Sequence, residues 1–290
     1  MGIQFCPLNC GGKQAQPLLG RKLPASIGSE NRQQGKGVEK NVESIKKLAQ
    51  ILANSKDVLV LTGAGVSTES GIPDFRTPGT GLWSKIDPME LFARSVLVRD
   101  PAKFWRRAEP VFREMASAQP NQAHFALARL ERLGLIRAVI TQNIDSLHQQ
   151  AGANVVFEAH GHLRTAKCPD CGAQEDMLRV LDRVAEGDNP PRCPCGTILR
   201  PEVVLFGDPL PSAFQIAWQL VWVCDLLLVV GSSLEVAPVC WLAPEAKRLA
   251  IINLGETQCD GLADILIRGS AGEVLAELAE QAEKLQARKE

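Results

Sequence analysis

The sequence predicts an α/β fold: a parallel sheet with helices on both faces, interrupted by a small cysteine-bearing module. Short apolar runs at Val58–Leu61, Ala138–Thr141, Leu226–Val230 and Leu249–Asn253 have the length and branching of buried strands. Stretches with helical spacing lie between them, and that alternation is the pattern of a parallel sheet covered on both sides. Over residues 161–199 the rhythm breaks into Pro, Gly and paired Cys, the composition of an inserted module rather than of a sheet layer.

In chain order, residues 1–37 are rich in Gly, Gln, Pro and Asn without apolar periodicity and read as a mobile, disordered extension. Val42, Ile45, Leu48, Ala49 and Leu52 recur as on a one-faced helix, and Val58–Leu61 follows as a strand. Helical patterns are predicted over 88–95, 101–117 and 121–133, then strands at 138–141 and 155–157. Past the module, strands are expected at 203–206, 226–230 and 249–253, and a last amphipathic helix from about Gly272. The expected organisation is an extension over 1–37 and one catalytic domain over 38–290. Its core spans about 38–160 and 200–290, the module about 161–199, and the helical region about 85–120 adds to the smaller part.

Composition narrows the function. A net charge of -1 gives no electrostatic reason for nucleic acid or anionic membrane as partner. No apolar stretch reaches a membrane span, and the N-terminus lacks the apolar core of a secretory signal. Nine cysteines, an odd number of which four sit in two tight pairs, favour metal in a reducing compartment over disulfides. A cytoplasmic protein is expected.

The strand Val58–Leu61 empties into Gly63-Ala64-Gly65, where bare amides let a pyrophosphate approach. Thr68 stands where the usual dinucleotide fingerprint has its third glycine. The loop ends in Pro73, Asp74, Phe75 and Arg76, an acid, a ring and a cation side by side, which suggests chemistry on a nucleotide's sugar. Gln142, Asn143 and Asp145 follow a strand's carboxyl end, where open α/β sheets place ligands; an Asx-type helix cap is the ordinary alternative. His160 also ends a strand and is the candidate base, whereas His124 and His148 fall on helices and are expected to pack or face solvent. Val230-Gly231-Ser232-Ser233-Leu234 and Asn253-Leu254-Gly255 end two more strands with groups suited to phosphate and ribose. Cys168-Pro-Asp-Cys171 and Cys193-Pro-Cys195 sit on Pro/Gly turns that aim four thiolates at one point, the shell of a closed, structural zinc site.

Taken together these segments resemble the sirtuins, NAD-dependent protein lysine deacylases, from about Val38 to the C-terminus. The resemblance rests on Gly63-Ala-Gly-Val-Ser67, Gly71-Ile-Pro-Asp-Phe-Arg76, Thr141-Gln-Asn-Ile-Asp145, His160-Gly161, the cysteine quartet, Val204-Leu-Phe-Gly207, Gly231-Ser-Ser-Leu234 and Asn253-Leu254. It implies a Rossmann-like domain, a zinc module with one structural Zn2+, and a cleft between them for NAD and an acyl-lysine peptide. By that resemblance the glycine loop and Ser67 hold the diphosphate, and Gly231, Ser232, Asn253, Leu254 and Gly272 surround the adenosine. Gln142 binds the nicotinamide ribose, and Asn143, Ile144 and Asp145 shape the carboxamide pocket. His160 is the base for a ribose hydroxyl after the acyl oxygen has displaced nicotinamide, with Asn143 beside it, and Phe75 covers the reactive sugar. Val204, Phe206, Gly207 and Val236 are the expected peptide contacts, with an apolar acyl tunnel at Phe75, Ile144, Val204 and Phe206.

The chain has no tyrosine. Ala108 and Val111 occupy the places where sirtuins that prefer succinyl or malonyl groups carry a Tyr and an Arg, so an acidic acyl group would lack its counter-charge. Departures from the family pattern are Glu69-Ser70, Ala159, His162 (expected at the module side or surface) and Asp208, where a glutamate is usual. The leading expectation is NAD-dependent deacetylation of protein lysine. The alternatives are mono-ADP-ribosyl transfer at the same site and a silent NAD-sensing or interaction protein; an oxidoreductase has no hydride acceptor to support it.

Overall fold

The computed structural model describes residues 4–5, 30–74 and 92–288. Its elements are β1 (Gln4–Phe5), α1 (Glu30–Asn54), β2 (Val58–Thr62), α2 (Arg94–Arg99), α3 (Pro101–Ser117), α4 (Gln122–Arg132), β3 (Ala138–Thr141), α5 (Leu147–Gln150), β4 (Val156–Glu158), β5 (Gly161–Lys167), β6 (Gln174–Asp176), α6 (Met177–Ala185), β7 (Arg200–Val203), α7 (Ser212–Val223), β8 (Leu226–Val230), β9 (Val236–Ala237), α8 (Leu242–Glu245), β10 (Leu249–Ile252), β11 (Ile265–Ile267) and α9 (Ala271–Gln286). Six strands form one sheet in the order β11-β10-β8-β2-β3-β4, every neighbouring pair parallel. The two faces of these strands feed different cores. Val58, Val60, Leu226 and Leu228 pack with Leu48 and Leu52 of α1, Leu127 of α4 and Leu275 and Leu278 of α9. Leu59, Leu61, Leu227 and Val229 pack on the other side with Phe214, Ala217 and Val221 of α7. Strands buried on both faces must read as continuous apolar runs, which is why they were legible in sequence.

A second sheet, β6-β5-β7, is antiparallel and belongs to the smaller part. Its core joins Phe104, Trp105 and Phe112 of α3 to Leu163, Val180, Leu181 and Leu199. Helix ends carry their own signals: the Asp100 side chain accepts from Lys103 N–H at 2.9 Å ahead of Pro101, and Asn121 and His124 form a reciprocal cap on α4. Several expectations need correction. Residues 30–37, read as part of a disordered extension, are the first turns of α1, and Gln4–Phe5 pair antiparallel with Val236–Ala237. The helix expected over 88–95 begins instead at Arg94, because Ala93 is extended and bridges Phe206; residues 88–91 lie outside the described residues. The strand expected at 203–206 is β7 at 200–203, paired to β5, so these residues join the smaller sheet.

Candidate active site

The carboxyl ends of β2, β3, β8 and β10 open onto a cavity of about 1070 Å³. Parallel pairing sends all four chains in one direction, so their outgoing loops collect at one edge of the sheet. The cavity is lined by Gly63–Gly65, Ser67, Thr68, Pro73 and Asp74 from the β2 loop, Gln142–Asp145 after β3, and His160 after β4. Gly231–Ser233, Val236 and Asn253–Gly255 close it on one side, and Val204 and Phe206 on another. Two expected residues stand apart from the lining. The Gly272 N–H donates to Glu69 Oε1 at 3.1 Å, and Gly207 lies past the wall made by Val204 and Phe206. Phe75 and Arg76 lie outside the described residues.

Sequence reasoning did not single out Ile72, Phe92, Glu114, Met115, Ile252, Glu256, Gly269 and Ala271 as lining residues. Ile72 belongs to the Gly71–Arg76 motif, Met115 follows from α3's apolar stripe, and Ile252 immediately precedes Asn253; Phe92, Glu114, Glu256, Gly269 and Ala271 carry no sequence signal of their own.

The glycine loop is fitted against the turn after β8 at backbone distance. Gly65 N–H donates to Gly231 O at 2.8 Å. Gly231 has φ 60°, and a Cβ there would stand 2.4 Å from Val66 N, so side chains are excluded from both partners. Hydrogen bonding leaves the amides of Ala64, Ser232 and Ser233 without an acceptor among the described residues. Ser232 Oγ accepts from Gln142 Nε2 at 2.9 Å and from Leu234 N–H at 3.2 Å, which leaves its hydroxyl proton to give. Unspent donors on a glycine-lined wall fit the diphosphate of a dinucleotide.

Ser67 differs from the expectation for it. Its hydroxyl donates to Asp145 Oδ2 at 2.7 Å and accepts from Asn143 Nδ2 at 2.9 Å. His124 Nε2 lies 3.4 Å from the same oxygen. Asn121 N–H points at His124 Nδ1 at 3.3 Å, so the ring carries its proton on Nε2 and donates to Ser67. The Ser67 amide is bonded to Ala64 O as well. With every donor engaged, Ser67 has none left for a phosphate; it ties the glycine loop to Asn143 and Asp145. Burial raises the Asp145 carboxyl above its ordinary value, against the hydrogen bonds from Leu147 N–H and Ser67.

His160 Nδ1 lies 2.9 Å from the Gln142 carbonyl, an acceptor that requires the proton on Nδ1. Nε2 is then an unprotonated lone pair, and it has no hydrogen-bond partner among the described residues. Burial, partly offset by the Gln142 carbonyl, holds the imidazole down to about 4, so it is neutral near pH 7. A neutral imidazole with a fixed tautomer and a free lone pair has the form that general-base chemistry requires. His124 and His148 are both buried and stacked edge to face at 4.9 Å, as packing rather than solvent-facing residues. His162 is partly buried beside Arg164 and Glu158.

In the smaller part, Cys168, Cys171, Cys193 and Cys195 bring four Sγ atoms within 4.8 Å of one another. The Cys168–Cys195 and Cys171–Cys193 sulfurs are 3.5 Å apart. Tetrahedral zinc with bonds of about 2.3 Å sets sulfurs about 3.8 Å apart, so the quartet fits that ion. Tight turns aim it: Gly172 N–H donates to Cys168 O at 3.0 Å and Gly196 N–H to Cys193 O at 2.8 Å.

The family model described as Sir2 family matches residues 63–238. NAD-dependent protein deacetylase 2 of Caldanaerobacter subterraneus is 49% identical over 231 residues, 79% of this chain and 92% of that one. NAD-dependent protein deacylase 2 of Archaeoglobus fulgidus is 42% identical over 254 residues, 85% of this chain and 99% of its own. A Sir2 homologue solved as an NAD complex has a TM-score of 0.75 at 39% identity, covering 83% of this chain and 94% of that one. A Sir2 protein with a deacetylated peptide and 3'-O-acetyl ADP ribose reaches 0.77 at 37% identity, covering 82% and 98%. With this family model over more than half of its length, these relatives, and a parallel sheet, glycine loop, buried histidine and cysteine quartet in one architecture, the chain belongs to the Sir2 family.

Proposed function

We propose that this chain removes acetyl and other neutral acyl groups from protein lysine, consuming NAD and yielding nicotinamide, O-acyl-ADP-ribose and free lysine. The observation that carries the reading is His160, which lines the cavity with its Nε2 unpartnered among the described residues, in company with loops whose Ala64, Ser232 and Ser233 amides are unspent. The dinucleotide supplies the activated sugar to which the acyl group is transferred. The chain's residues do the rest. Amides of Ala64, Ser232 and Ser233 and the Ser232 hydroxyl bind the diphosphate. Gln142 is held by Ser232 and by His160, so it orients both the ribose side and the base. Asn143 and Asp145, locked by Ser67, fix the carboxamide pocket. His160 Nε2 takes a proton from a ribose hydroxyl. Ile144, Met115, Val204 and Phe206 give the acyl group an apolar wall that keeps water from a reactive sugar.

The cysteine quartet holds one structural zinc in this reading, since four thiolates leave no position for water or substrate. The partners are acyl-lysine proteins, and a reducing cytoplasm keeps the thiolates available. The deciding experiment incubates the protein with NAD and a panel of acylated lysine peptides and follows products by mass. Matched appearance of deacylated peptide and O-acyl-ADP-ribose is expected. Dinucleotide left intact with every peptide would sink the reading, and nicotinamide release without acyl-peptide would favour ADP-ribosyl transfer.

A further inference from the structure

The segment after β7 is built around one buried carboxylate, Asp208, that is not among the residues lining the cavity. Phe206 is pinned on one side, its N–H donating to Phe92 O at 2.7 Å and its carbonyl accepting from Arg94 N–H at 3.0 Å. In extended chain the neighbours on either side point their main-chain groups the opposite way. Leu205 spends both of its groups on Asp208. Its carbonyl accepts from Asp208 N–H at 2.9 Å, and its N–H donates to Asp208 Oδ2 at 2.9 Å. Gly207 makes the corner with φ 92°. The Val204 carbonyl and both main-chain groups of Gly207 remain without a hydrogen-bond partner among the described residues.

Asp208 is 4% exposed, and it holds two other segments as well. Oδ2 accepts from Arg200 Nη2 at 2.6 Å, and Oδ1 lies 3.7 Å from Arg94 Nε. Arg200 comes from β7 and Arg94 from α2, so the carboxylate joins the turn to the smaller sheet and to the helix that follows Phe92 and Ala93. A buried carboxylate with charged partners fixes geometry far better than an exposed pair, and removing it leaves those partners unpaired.

We propose that Asp208 is a positioning residue for the protein substrate. It sets the 204–208 turn and hence the main-chain edge to which an extended acyl-lysine peptide adds by strand pairing. The proposal rests on the deacylase reading of the cavity. It separates Asp208 from the cofactor loops, so disturbance there should reach the peptide and spare NAD.

The test compares Asp208→Ala, which removes the acceptor, with Asp208→Asn, which keeps an acceptor for Leu205 but loses the charge facing Arg200. Asp208→Glu restores the carboxylate on a longer arm. The readouts are peptide KM, NAD KM, kcat, and Kd for a labelled acetyl-lysine peptide by fluorescence polarisation. Peptide KM and Kd should rise about tenfold in Asp208→Ala and less in Asp208→Asn, with partial recovery in Asp208→Glu, while kcat and NAD KM stay within about twofold. Arg200→Met, which breaks the same contact from the other end, carries the test if Asp208→Ala fails to fold. Unchanged peptide affinity, an equal rise in NAD KM, or a fall in kcat alone would overturn the proposal. A wild-type protein that neither binds nor turns over the peptide brings down the functional reading itself, a result distinguishable from working enzyme with indifferent variants.

Discussion

At the scale of the residue, the site depends on where three histidines keep their protons. The Gln142 carbonyl fixes the proton of His160 on Nδ1 and leaves Nε2 unprotonated, as the proposed base. Replacing His160 by Ala should lower kcat about 100-fold or more, the ordinary worth of a positioned base, with NAD still bound. Burial holds His160 and His124 down to about 4 and lowers His148 as well. The consequence for stability has a definite sign. In the unfolded chain an imidazole takes up its proton near its ordinary 6.5, whereas the folded His124 and His160 resist until about 4. Acid therefore favours the unfolded state throughout that window, and the stability present above 6.5 is lost as pH falls toward 4. Denaturant melts at successive pH values should show this decline. A His124→Gln variant should flatten it, and a decline as steep as in wild type would refute the assignment.

At the scale of the element, the close contact of the β2 loop with the turn after β8 makes a second prediction. Gly231→Ala adds a Cβ 2.4 Å from Val66 N at a backbone φ of 60°. The strain should cost about 2 kcal/mol or more in a melt and weaken NAD binding at least about tenfold by calorimetry, since the amides on both sides must move. α3 makes a third. Ala108 and Val111 are packed in the core of the smaller part, and the charge that α3 brings to the cavity wall is Glu114. No described lining residue is a Lys or Arg, so succinyl-lysine should be turned over at least about tenfold less efficiently than acetyl-lysine, and parity of kcat/KM would contradict this. What sequence revealed follows the same physics. The central strands were legible because burial on both faces forces continuous apolar runs, and the cysteine pairs because ligand spacing is local. β5, β6 and β11 were not. β5 has buried residues only at intervals among exposed ones, and β11 is three residues at a sheet edge. The orientation of Ser67 was hidden for another reason: its partners Asn143, Asp145 and His124 lie far along the chain, and only folding assembles them.

At the scale of the whole molecule, one wall of the cavity comes from the smaller part, and that part carries the cysteine quartet at its far end. β5 runs from Gly161, next to His160, to Lys167, next to Cys168, so His160 and the first thiol flank the same strand. β7 pairs with β5 and delivers the chain to Val204 and Phe206 at the cavity. The apolar core beneath it, Phe104, Trp105 and Phe112 against Leu163, Val180 and Leu199, takes in Cys168 and Cys193, whereas Cys171 and Cys195 lie exposed on their loops. Metal content by mass spectrometry should therefore be one zinc per chain. Chelation, or Cys195→Ser, should lower the melting temperature and activity together. Hydrogen exchange should then show lost protection across 161–203 while β2, β3 and β8 keep theirs, because the six-stranded sheet has its own cores on both faces. Peptide affinity should fall before NAD affinity does, since β7 leads to Val204 and Phe206, the proposed peptide contacts, and the glycine loop belongs to the large sheet. Full activity after removal of the metal, or protection lost uniformly through both sheets, would show that the cysteine quartet does not carry the smaller part.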